Sequence, residues 1–193
     1  MDRQIDTYQA LNALASPGGV VIFGGSEDKR IPLCELKQAF QLREDFYDLS
    51  IADLTIADAP EFFDRCIAPL APATLLLHLG EADLHTFELD PSTFHRTYGI
   101  LLHHIKTSCK KCDIAVISLK ETGTDPRIKQ MNEHLRMIAE SERCPYFDLS
   151  TMQLWDPKQT RDVMSFLYST GFVRPLKQNR PLYDLVKILF HHT

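Results

Sequence analysis

The sequence predicts one α/β domain, a layered sandwich on a five-stranded, mostly parallel sheet. Three observations lead there. Five short apolar runs recur along the chain, as expected of parallel strands buried on both faces. Between them the apolar period lengthens to three and four residues, the spacing of one helix face. The 193 residues, 44% hydrophobic and 24% charged, suit a single core and exclude disordered, collagen-like and coiled-coil chains. No linker, repeat or low-complexity stretch divides residues 1–193.

The leading segment Ile5–Leu14 reads as a helix, an extra element within residues 1–15 that is expected outside the core layers. Val20-Val21-Ile22-Phe23 is a β-branched run stopped by Gly24-Gly25, hence a buried strand. Ile31–Leu42 places Leu33, Leu36 and Phe40 on one helix face. Phe46–Ile51 is a second, less apolar strand, and Pro60–Leu70 begins with a proline suited to a first helical turn. Thr74–Leu79, closed by Gly80, is the third strand. Pro91–Thr107 repeats Phe94, Tyr98, Leu101, Leu102 and Ile105 at helical steps. Asp113–Leu119 is the fourth strand, and Asp125-Pro126 opens a helix with Ile128, Met131, Leu135 and Ile138 on its apolar face. Pro145–Leu149 is the fifth strand, and Thr160–Tyr168 and Leu182–Phe190 read as closing helices.

The 26 acids outnumber the 21 bases for a formal charge of −5. Without a Lys/Arg stripe, such a chain is a poor partner for nucleic acid. No run approaches the roughly 18 apolar residues of a membrane helix, and the N-terminus lacks the apolar stretch of a signal peptide. Five cysteines at irregular spacing argue against a disulfide framework. Reduced thiols and a cytoplasmic address are expected, with no membrane partner.

In open parallel sheets, ligands bind beyond the carboxyl ends of the strands, where strand order reverses. For the order 2-1-3-4-5, that crevice lies between the first and third strands. Its expected walls are Gly24-Gly25-Ser26-Glu27-Asp28 and Gly80-Glu81-Ala82-Asp83-Leu84-His85, with Ala52, Asp53 and Thr55 on the same side. A serine, several carboxylates and a histidine gather there, although polar loops of this kind also serve as plain helix caps.

Several blocks resemble the SGNH/GDSL hydrolases. Val21-Ile22-Phe23-Gly24-Gly25-Ser26 is similar to the family's first block, a strand running into Gly-Asp-Ser. Leu77-His78-Leu79-Gly80-Glu81-Ala82-Asp83 is similar to the third block, Gly-x-Asn-Asp. Ile114 to Leu119, Met131-Asn132-Glu133-His134-Leu135 and Tyr146-Phe147-Asp148-Leu149 follow in the family's order, from Val20 onward. The resemblance implies a flavodoxin-like three-layer α/β/α sandwich and hydrolysis of an acyl or acetyl ester, with no cofactor and no metal.

Carried over residue by residue, the resemblance makes Ser26 the candidate nucleophile, with Gly25 where the family has an aspartate. The second-block glycine that helps bind the oxyanion has Ala52 or Asp53 as its nearest equivalent. The third-block asparagine, another oxyanion donor, is Ala82, while Gly80 and Asp83 remain. The final Asp-x-x-His finds only Thr170-Gly171-Phe172-Val173 in its place, so acid and base are both missing there. A serine hydroxyl needs a base to take its proton and a group to orient that base. A lost oxyanion donor costs about 3–4 kcal/mol of transition-state stabilisation. Two readings follow. One is a divergent hydrolase, with His85 as surrogate base oriented by Asp83 or Asp53. The other is a non-catalytic relative, a pseudoenzyme, that keeps the crevice for a small ligand or a protein.

Other constellations are less specific. Glu27, Asp53, Glu81, Asp83 and His85 form no known ligand spacing, although loop carboxylates can hold magnesium. Cys109-Lys110-Lys111-Cys112 is a lone C-x-x-C at a helix end, with His103 and His104 upstream, and zinc would need two further ligands. Gly24-Gly25-Ser26 invites an anion at a helix start, but Glu27 and Asp28 would repel a phosphate. His191 and His192 near the C-terminus are poor candidates for a base, and Trp155 reads as a packing residue.

Overall fold

In the computed structural model, which describes residues 2–26, 28–40, 42–121, 125–149 and 182–190, the five apolar runs are five strands of one sheet. Strands β1 (Val20–Gly24), β2 (Phe46–Asp48), β3 (Thr74–His78), β4 (Asp113–Ile117) and β5 (Tyr146–Phe147) lie in the order β2-β1-β3-β4-β5. Every pairing is parallel, with Val20 opposite both Phe46 and Thr74, and Gly24 opposite His78. The connections carry α1 (Asp2–Asn12), α2 (Leu33–Ala39), α3 (Ala59–Phe62), α4 (Leu84–Leu89), α5 (Pro91–Ser108), α6 (Pro126–Ser141) and α7 (Leu182–Phe190). Glu27, Trp155, the expected helix Thr160–Tyr168, the segment Thr170–Val173, His191 and His192 lie outside the described residues.

Alternation along each strand sends side chains to two separate cores. Val21, Phe23, Leu75, Leu77, Ile114 and Val116 face a layer that includes α1, α3, α5 and α6. Val20, Ile22, Leu76, Ala115 and Ile117 face α2 and α7. The result is the three-layer α/β/α sandwich that the family resemblance implies. Helix starts follow their capping residues: Asp90 accepts from the Ser92 and Thr93 N–H groups at the head of α5, and Asp125 from Arg127 at the head of α6. Among the described residues no helix is long and apolar enough to cross a membrane.

Three details differ from the sequence reading. First, α1 contributes to the core itself: Ile5 is fully buried, the Tyr8 ring meets Phe62 edge to face, and the Tyr8 hydroxyl donates to the Ser50 carbonyl. Second, the segment expected as one helix, Pro60–Leu70, is α3 followed by a π turn, Phe63–Ile67, and a 3₁₀ turn, Ala68–Leu70. Pro69 has no N–H to continue the α-helical ladder, and side chains of α1 serve the carbonyls near the break. Asn12 donates to the Cys66 carbonyl at 2.6 Å and Gln9 to that of Arg65 at 3.4 Å. Third, α4 was not expected, because its six residues are too few to show a period.

Candidate active site

The loops after β1, β2 and β3 meet where strand order reverses. Gly25, Ser26, Asp53, Leu54, His78, Leu79, Gly80, Glu81 and Ala82 enclose a cavity of about 130 Å³. The turn after β1 presents Ser26 to solvent. Gly24 makes that turn possible, since a Cβ there would stand 1.8 Å from Asp28 Oδ2. Into the space it leaves, Asp28 folds back and accepts the Gly25 N–H at 2.8 Å.

The opposite wall comes from the loop after β3. Gly80 has φ +131°, a conformation open to glycine, and a Cβ would also press on Met131 Sδ at 3.1 Å. The third wall comes from the loop after β2, where Asp53 adopts φ 59°. Aspartate tolerates this left-handed conformation better than most residues, so the chain turns here without the family's glycine. Asp83, largely buried, accepts the Ile56 N–H at 3.1 Å and 3.3 Å and so latches the second loop to the third. Burial pushes the Asp83 carboxyl up to about 6, with Asp58 adding to the rise and the Ile56 hydrogen bond opposing it.

Beneath the crevice lies a buried pair that the sequence reading did not assign. Asp28, 1% exposed, places Oδ1 2.8 Å from Nδ1 of His78, itself 9% exposed. Burial pulls the imidazole pKa down, but the Asp28 charge and hydrogen bond, with Glu81 and the Ser118 backbone, outweigh it. The net direction is upward. The Phe190 ring of α7 packs on His78 edge to face, centroids 5.3 Å apart. Although the Ser118 backbone contributes to the upward pull, Nε2 has no hydrogen-bond partner of good geometry among the described residues. A histidine inside an otherwise apolar strand is the one sequence signal that could have found this pair.

Of the residues expected here, Gly25, Ser26, Asp53, Gly80 and Ala82 line the cavity. Ala52 is half-buried and outside its lining, Asp83 serves as the latch, and His85 is exposed on the first turn of α4. Ala82 brings no side-chain donor to an oxyanion, and the Ser26 hydroxyl has no hydrogen-bond partner among the described residues. Among the described residues no three His, Cys, Asp or Glu side chains gather as a metal site. All five cysteines are free, and burial, with Cys109 and Asp113, pushes the Cys112 thiol up to about 12. At neutral pH it therefore rests as the thiol.

Neither a protein-family model nor a curated protein matches the chain. Solved structures do. A GDSL-like lipase from Bacteroides thetaiotaomicron superposes with a TM-score of 0.63 at 14% identity, covering 86% of this chain and 96% of its own. An acetyl xylan esterase gives 0.58 at 12% identity, covering 79% of this chain and 83% of its own. Axe2, an acetylxylan esterase from Geobacillus stearothermophilus, gives 0.51 at 14% identity, covering 68% and 76%. With its sheet order, its three layers and these neighbours, the chain has the fold of the SGNH/GDSL hydrolases.

Proposed function

We propose that this protein is a divergent hydrolase of the SGNH/GDSL type that cleaves a small acyl or acetyl ester, with Ser26 as nucleophile. The observation that carries the reading is the placement of an exposed serine at the switch-point crevice, facing the Gly80–Ala82 wall, on this fold. The structural neighbours named for esterase or lipase activity support the same reaction class. The cavity of about 130 Å³ is well below the roughly 300–1,000 Å³ of drug-sized pockets, which favours an acetyl-sized group over a long acyl chain. Asp53 and Glu81 on its walls disfavour an anionic substrate.

The test is labelling by a fluorophosphonate serine probe together with p-nitrophenyl acetate turnover, wild type against Ser26→Ala. Labelling and turnover that vanish in the variant support the hydrolase, and turnover should fall steeply from the acetyl to the octanoyl ester. A folded wild type that neither labels nor turns over rejects it. The second reading, a binding module for a small ligand or a protein, then applies. It is favoured by Ala82, which brings no side-chain donor to an oxyanion.

A further inference from the structure

We infer that Asp28 and His78 are the positioning pair of this crevice: His78 holds Asp28 in place from β3, and Asp28 holds the turn that presents Ser26. The inference rests on the reading of the Ser26 crevice as the working site. Its geometry is a continuous relay. Asp28 Oδ2 takes the Gly25 N–H at 2.8 Å, and Oδ1 meets His78 Nδ1 at 2.8 Å. The backbone preceding the nucleophile is thus tied, through two side chains, to the neighbouring strand across the switch point. Register makes the link possible, because Gly24 lies opposite His78 and has no Cβ to exclude the carboxylate.

Burial argues that the pair is there for geometry. Removing two charged groups from water is costly, and well-packed apolar residues often match a buried ion pair in stability. What apolar residues cannot do is accept the Gly25 N–H and fix its direction. The ring has little freedom: Phe190 packs on it from α7, and Asp28 fixes Nδ1. Glu81, on the loop after β3, acts on His78, and Asp48 on β2 interacts with Asp28. The pair also differs in kind from a Ser-His-Asp relay, since Asp28 engages the backbone beside the serine while His78 acts on Asp28. His78 is therefore a positioning residue, and no proton transfer to Ser26 is assigned to it.

Amide hydrogen exchange by NMR on the full chain, read at Gly25, tests the relay directly. In His78→Gln, which keeps a donor but not the ring's fixed placement, Gly25 exchange should quicken about tenfold or more, as for a hydrogen bond whose acceptor is no longer held. Val21 and Leu76, in the middle of the sheet, should keep their wild-type rates. Asp28→Asn retains an oxygen for Gly25 but takes the charge from the accepting group itself, and should quicken exchange at least as much. In the wild type, Gly25 exchange corrected for base catalysis should step with the titration of His78. Fluorophosphonate labelling of Ser26 should slow with the same order of variants, and its pH profile should flatten in His78→Gln. Gly25 rates within twofold of wild type in both variants overturn the inference, and so does an increase shared equally by Val21 and Leu76. Absence of labelling in the wild type at every pH rejects the catalytic reading alone, because the Gly25 exchange is measured without it.

Discussion

Asp28 reads from the chain as one residue of a crevice wall, whereas its pairing with His78 does not. Its partner His78 lies 50 positions away, and only the pairing of β1 with β3 brings them together. Asp28→Ala would leave the buried imidazole without its counter-charge and the Gly25 N–H without its acceptor. We expect a loss of about 3–5 kcal/mol, measured by urea unfolding at pH 7. Asp83 gives a second prediction, with a sign set by its raised pKa. Unfolded, an aspartate titrates near 3.9, whereas in the fold this one titrates at about 6. Its contribution is therefore full below about pH 4 and is lost as pH rises through about 6, since above that a buried carboxylate must be carried. Asp83→Asn keeps an oxygen for the Ile56 N–H but has no proton to lose. Relative to wild type it should gain about 1–2 kcal/mol between pH 4 and 7, the shift being discounted for solvent screening. Parallel stability curves across that range would contradict the assignment.

At the scale of elements, legibility follows the physics of each segment. The strands of a parallel sheet are buried on both faces, so their continuous apolar runs stand out. Even β2, assigned as Phe46–Asp48, continues beside β1 as expected: the Leu49 and Ile51 N–H groups donate to the Ile22 and Gly24 carbonyls. Long helices with an Asp-Pro start were equally readable, and α5 and α6 begin at those residues. The break after α3 was not readable, because it depends on α1 supplying donors from more than 50 residues away. Asn12→Ala should therefore cost about 1 kcal/mol, the net value of one such hydrogen bond. The same substitution at exposed Leu11 should cost little. Asn132 has a similar role in the same layer, on α6. Its amide pairs with both the N–H and the carbonyl of Leu119, at 2.8 Å and 2.9 Å, and so ties α6 to the end of β4. Asp would preserve the acceptor alone, so Asn132→Asp should destabilise by more than the loss of one hydrogen bond, as a buried carboxylate is left facing a carbonyl.

Across the whole molecule, one sheet separates two cores that share no side chains among the described residues, and both must form for the loops after β1 and β3 to meet. One core contains Ile5 from α1, the other Leu189 from α7, each fully buried. The α7 face also carries Phe190, which packs on His78, so this layer bears on the crevice. This coupling lay beyond sequence reading because it joins the last described helix to the third strand, and no local pattern records such a contact. If the chain is one cooperative domain, Ile5→Ala and Leu189→Ala should each cost about 2–5 kcal/mol by leaving a cavity. Having no common partner, the two costs should add within about 0.5 kcal/mol in the double variant. Each variant should still unfold in one transition, coincident by far-ultraviolet circular dichroism and tyrosine fluorescence, because a sheet cannot stay paired with one face stripped of its helices. Two separated transitions, or a Leu189→Ala variant that melts α7 while the β1–β3 core stays protected from exchange, would mean that the two layers fold as separate units. The pair beneath Ser26 would then depend on the less stable of them.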